Sequence, residues 1–83
     1  MNILILGYSR LVKKRILNVI LKNNIRFSIA SKSSTRKVKK AYSWYRNYRI
    51  ALNTSNADLV YVSLPNSQHY YWAKKALEKG YHV

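Results

Sequence analysis

The chain has 83 residues, 48% of them hydrophobic, with 16 Lys and Arg against 2 acids and a net charge of +14. That length allows one domain, which buries only about 60% of its unfolded surface, and the apolar content excludes a disordered tail. Without cysteine, neither a disulfide nor a thiolate zinc site can form.

Asn2 to Leu6 is an apolar strand that starts almost at the first residue, and Gly7-Tyr8-Ser9-Arg10 is its turn. No charged start precedes the apolar run, which argues against a signal peptide. A helix is predicted from about Ser9 to Asn23, with Val12, Ile16, Val19 and Ile20 on one apolar face. Asn23-Asn24 ends it. Ile25 to Ala30 reads as a second strand. The polar loop 31–35 then leads into a strongly basic helix from Arg36 to about Tyr42. Asn53 to Asn56 is a loop, and Asp58 to Leu64 is a strand rich in β-branched and aromatic residues, suited to burial on both faces. Pro65 ends its pairing, and Asn66 or Ser67 can cap a helix from about Ser67 to Lys79. On that helix His69, Ala73, Ala76 and Leu77 fall on one side, and Gly80 provides the left-handed stop. Tyr81-His82-Val83 reads as the start of a fifth strand. Strand alternating with helix implies parallel strands joined by right-handed crossovers. The expected fold class is α/β: a three-layer half-Rossmann fold whose parallel sheet has about four to five strands, in one domain over residues 1–83.

The stretch Ala57-Asp-Leu-Val-Tyr-Val-Ser-Leu-Pro-Asn-Ser-Gln-His69, with Ala73, Ala76-Leu77, Gly80 and His82-Val83 after it, resembles the Gfo/Idh/MocA oxidoreductases. That is the family of glucose–fructose oxidoreductase and inositol dehydrogenase. The match is tighter over residues 57–83 than over 1–56. By the same resemblance the Trp44–Tyr48 segment is a short third strand leading into a short helix near Arg49–Asn53. The resemblance implies a nucleotide-binding domain and hydride exchange with a sugar or polyol. It sets Leu64, Pro65 and Asn66 against the nicotinamide side of the cofactor. His69 lies near the same crevice, in a lining or packing role rather than proton transfer. In the family a Glu-Lys-Pro motif with the catalytic lysine follows His-Val, and a second domain binds substrate. The chain is therefore expected to be the cofactor part of such an enzyme, either a fragment or a stand-alone remnant, with no catalytic residue of its own.

Residues Gly7, Tyr8, Ser9, Arg10 and Leu11 stand where the fingerprint Gly-x-Gly-x-x-Gly belongs. Gly7 keeps the first glycine. Ser9 replaces the second, and its hydroxyl can donate to a phosphate instead. Val12 replaces the third. The turn either holds a pyrophosphate at the helix start, where Arg10 adds charge, or is a plain strand-to-helix turn. At the end of the second strand, NAD binders carry an acid for the ribose hydroxyls. Here Ser31, Lys32, Ser33 and Arg36 offer hydroxyls and cations, which favour NADP over NAD; the bland alternative is a solvated basic loop. The segment Ala30-Ser-Lys-Ser33 also resembles the Ala-Ser-Arg-Ser of NADP-using family members.

Residues 1–50 hold 13 of the 16 basic residues. A surface of this kind attracts polyanions. Tyr42, Trp44, Tyr45 and Tyr48, interleaved with Arg46 and Arg49, either stack single-stranded bases or pack a small helix on the sheet edge. The sequence favours packing, and a nucleic-acid or other polyanion-binding module is the second functional class. Two histidines and two distant acids make no metal site and no hydrolytic triad. No apolar run approaches the ~20 residues that span a bilayer, so the expectation is a cytoplasmic protein.

Overall fold

The computed structural model describes residues 1–32 and 40–83. Four strands, β1 (Asn2–Leu6), β2 (Arg26–Ala30), β3 (Ser43–Tyr45) and β4 (Leu59–Val62), form one sheet in the order β3-β2-β1-β4. Every pairing is parallel, with Ile5 opposite both Ile29 and Tyr61. His82 makes a single parallel bridge to Leu59, and its carbonyl accepts from the Val60 N–H at 2.7 Å. The expected fifth strand is thus one bridge beside β4.

β1 is central, and its alternating side chains build both halves of the core. Leu4 and Leu6 join Ala30, Val60, Tyr48, Ala51, Leu52 and Ala76 on one face. Ile3 and Ile5 join Phe27, Ile29, Val12, Leu17 and Ile20 on the other. A strand buried on both sides has no polar face to show, which is why Ile-Leu-Ile-Leu runs unbroken. Each such side chain contributes about 1.5–3 kcal/mol on burial.

The layers are completed by α1 (Leu17–Lys22) on one face, and by α2 (Tyr48–Thr54) and α3 (Asn66–Glu78) on the other. A π-helical turn, Val12–Ile16, runs directly into α1. It corrects the expected apolar face. A π turn places residues i and i+5 together, so Val12 aligns with Leu17, while Ile16 stays half-buried against the same cluster. Val12, Leu17 and Ile20 are buried, whereas Val19 is 58% exposed.

Helix ends follow local chemistry. Asn24 at φ 54° and Gly80 at φ 91° close α1 and α3. In each case the next N–H reaches back to a carbonyl five residues earlier: Ile25 to Ile20 and Tyr81 to Ala76, both 3.1 Å. The Asn47 side chain caps α2 by accepting from the Ile50 N–H at 3.1 Å. Pro65, not Asn66 or Ser67, occupies the cap position of α3. No side chain bonds there, and the Pro65 carbonyl accepts from the N–H groups of Gln68 and His69 at 2.8 Å. Trp72, Ala73 and Ala76 form the inward side of α3, while His69 and Leu77 are exposed. The expected basic helix lies largely outside the described residues, and 40–42 is turn and bend rather than helix. No described helix is long and apolar enough to cross a membrane.

Gly7 has φ 97°, and a Cβ there would run into the Ser63 carbonyl and lie 2.8 Å from Leu64 Cδ2. Gly80 has a similar φ but open space around it. Substituting Gly80→Ala should therefore cost about 1 kcal/mol, the left-handed penalty alone. Gly7→Ala should cost about 2 kcal/mol or more, because a backbone clash adds to that strain. Urea unfolding of the two variants measures the difference, and equal midpoints would contradict it.

Candidate cofactor crevice

From the central β1 the chain proceeds one way to β2 and β3 and the other way to β4. The strand tips part where that order reverses, which is where open parallel sheets place ligands. A cleft of about 350 Å³ lies there, lined by Gly7, Tyr8, Ser9, Ser31, Lys32, Tyr48, Ser63, Leu64, Pro65 and Gln68. Its size falls at the low end of small-molecule sites. Larger depressions of about 480 and 680 Å³ surround Gly80 and Tyr81. They sit at the amino ends of the strands, away from the switch point.

One wall is the β1 turn. The Gly7 N–H donates to the Ala30 carbonyl at 2.7 Å, and the Ser63 N–H to that of Leu6 at 2.8 Å, so the tip of β1 is held from both sides. Ser9 does two jobs. Its Oγ accepts from the Val12 N–H at 3.3 Å, capping the helix start, and lies 2.5 Å from Ser63 Oγ on the opposite wall. Tyr8 turns its ring edge-on to Trp44, 5.4 Å between centroids, and Lys13 lies 4.8 Å over the Tyr8 ring.

The other wall carries the charge. Ser31, at the end of β2, is buried, and its N–H donates to the Tyr45 carbonyl at 2.9 Å. Lys32 is exposed, and its ammonium lies 5.1 Å over the Tyr48 ring. Tyr48 is itself buried and packs edge-on against Trp72 at 5.2 Å. Burial pushes its phenol above the usual tyrosine value, and a hydrogen bond from the Lys32 backbone offsets part of that rise. Neither acid lies among the lining residues. Asp58 accepts from the Asn2 N–H at 2.8 Å at the far end of the sheet, and Glu78 faces Lys75 on α3.

Of the residues singled out in the sequence, Gly7, Tyr8, Ser9, Ser31, Lys32, Leu64 and Pro65 line this one cleft. Arg10, Leu11, Asn66 and His69 are exposed on the flanking helix starts and do not line it. Ser33 and Arg36 lie outside the described residues. Tyr48, Ser63 and Gln68 were not anticipated. The signal for Ser63 was a hydroxyl in an otherwise apolar strand, directly before Leu64-Pro65. Tyr48 was legible only as a packing residue, and Gln68 carried no signal beyond its place one turn into α3.

The chain matches, over residues 1–83, the family described as an oxidoreductase family with an NAD-binding Rossmann fold. Among solved structures it is similar to a D-galactose-1-dehydrogenase from Rhizobium etli, at 29% identity and a TM-score of 0.81, covering 99% of this chain and 26% of that one. It also resembles a scyllo-inositol dehydrogenase from Lactobacillus casei, solved with NAD(H) and scyllo-inositol. There the identity is 21% and the TM-score 0.85, over 100% of this chain and 26% of that one. The chain thus spans about a quarter of the length of these structures. Compared with curated protein sequences, it has no significant match.

The raised Tyr48 phenol gives a signed pH dependence. Its folded value exceeds its unfolded value, so the unfolded chain ionises first as pH rises. Its contribution is complete below about pH 10, the usual tyrosine value, and is lost as pH climbs through the folded value. Tyr48→Phe should flatten the decline of stability above pH 10. Thermal melts at stepped alkaline pH check this, and an unchanged slope would speak against it.

Proposed function

The chain belongs to the Gfo/Idh/MocA family of oxidoreductases, and we propose that it is the NADP-binding domain of a dehydrogenase acting on a sugar or polyol. The observation that carries the cofactor choice is Lys32: a cation in the crevice at the end of β2, with no carboxylate among the lining residues. An acid at that place would accept from ribose hydroxyls and repel a 2′-phosphate; an ammonium attracts it. Ser31 ends the same strand, and Ser33 and Arg36 follow in the sequence.

The crevice fits such a group on its other wall as well. The first glycine is retained at a backbone position where a Cβ would collide with the facing strand. The roles follow from the fingerprint register and from what the family resemblance implies. Gly7, Tyr8 and Ser9 take the pyrophosphate, with Arg10 and Leu11 at the start of the helix behind them. Leu64 and Pro65 close the nicotinamide side, with Asn66 and His69 at its rim. When bound, the nicotinamide ring supplies the hydride donor or acceptor. The residues of this chain bind and orient it and shield its face from water. Among the described residues no carboxylate or imidazole lines the crevice, so catalysis is left to the Glu-Lys-Pro lysine, and substrate binding to the second domain, that the family resemblance implies. A cytoplasmic setting belongs to the same proposal. A polyanion-binding role draws support only from the net charge, and no specific contact favours it.

Lys32→Glu tests the assignment. NADPH affinity should fall about tenfold or more, the worth of one charged hydrogen bond, while NADH affinity is retained or improves. Fluorescence titration of both nucleotides reads this out. Equal loss for the two nucleotides, or no loss for NADPH, would remove Lys32 from the 2′-phosphate site.

A further inference from the structure

We infer that Ser9 and Ser63 act as a single, interchangeable hydrogen-bond donor to the pyrophosphate of the bound dinucleotide. This rests on the cofactor reading above and extends it to a residue on β4's exit that the fingerprint does not include.

The inference follows from counting protons. The two hydroxyl oxygens are 2.5 Å apart, so one of the two protons lies between them. Ser9 Oγ also accepts the Val12 N–H at 3.3 Å, which uses a lone pair and no proton. The pair therefore holds two protons and spends one internally. Whichever serine donates inward, the other keeps a free O–H. Both residues line the crevice between Gly7 and Pro65, so the spare proton is within rotation of an anion bound there. A hydroxyl that accepts one hydrogen bond while donating another is also the stronger donor. Ser9 stands where the fingerprint carries its second glycine, and a side chain there keeps the backbone away from a phosphate. A hydroxyl that bridges to β4 replaces that close approach with a side-chain bond.

The count gives an unusual signature. Ser9→Ala leaves the Ser63 proton free, and Ser63→Ala leaves that of Ser9. Each single variant still offers one donor, and only the double variant offers none. Titration of NADPH into the four proteins should show each single variant within about threefold of the parent and the double weaker by about tenfold or more. Adenosine 2′-monophosphate, which lacks the pyrophosphate, should bind all four equally, which also reports that the fold is intact. Ser9→Ala removes a helix cap worth about 1 kcal/mol, whereas threonine keeps one. Should the alanine double fail to fold, Ser9→Thr/Ser63→Ala, which keeps one hydroxyl, is compared with Ser9→Ala and Ser63→Ala: all three should bind NADPH within about threefold of the parent, and a loss of about tenfold in any of them overturns the inference. A double variant equal to the parent, or one single variant carrying the whole loss, overturns the inference while leaving the cofactor reading standing. A parent chain that binds neither NADPH nor NADH removes both.

Discussion

The structure depends on how closely the tips of β1 and β4 approach each other. Gly7 lets the chain leave β1 at φ 97° with no side chain, so its Cα lies directly against the Ser63 carbonyl. Any other residue would push the two strands apart or tilt the turn. At the opposite end the same two strands are pinned, because Asn2 and Asp58 exchange hydrogen bonds of 2.8 Å through their backbones and the Asp58 carboxylate. The register is thus fixed at the foot and tight at the tip. Between these limits the two strands stay paired from Ile3–Leu59 to Leu6–Val62, and the crevice opens where the chain changes direction. Turn, proline and hydroxyl pair come together because the strands that carry them are neighbours.

Much of this was legible because burial on both faces leaves a plain mark. The apolar runs located β1, β2 and β4 to within a residue or two, and Pro65 marked the end of β4 pairing. Gly7 came from the fingerprint register, Lys32 from the end of the second strand and Pro65 from the family resemblance, and all three line one cleft. What escaped depends on properties that a linear pattern does not encode. A periodicity of 3.6 put Ile16 and Val19 inward; the π turn before α1 buries Leu17, leaves Ile16 half-buried against the core and turns Val19 outward. Ser63 was absorbed into a strand, since nothing in one strand tells which neighbour its last residue faces. Tyr48 looked like packing and is packing; that its far side also borders the crevice follows only once α2 is placed.

Electrostatics here has an uncommon balance. With two carboxylates in 83 residues, most cations have no acid to pair with. Aromatic rings take their place: Lys13 over Tyr8, Arg26 over Tyr42, Lys32 over Tyr48 and Lys75 over Tyr71 lie 4.5 to 5.5 Å from the ring centroids. A ring face attracts a cation without neutralising it. Such a contact fixes where Lys32 sits yet leaves its full charge available to a ligand, which a carboxylate partner would not. Four of the eight tyrosines of this chain therefore do more than fill volume, and the charge of Lys32 beside the crevice is not neutralised by its ring partner.

The π-helical turn at Val12–Ile16 also changes how this region tolerates alteration. It holds one residue more than an α-helical turn would between the same buried anchors, Val12 and Leu17. A deletion inside it would convert i, i+5 into i, i+4 and leave both anchors inward. The segment directly behind the glycine turn thus carries one residue more than its two buried anchors need, although Lys13 within it reaches Tyr8 and Ile16 packs against the core.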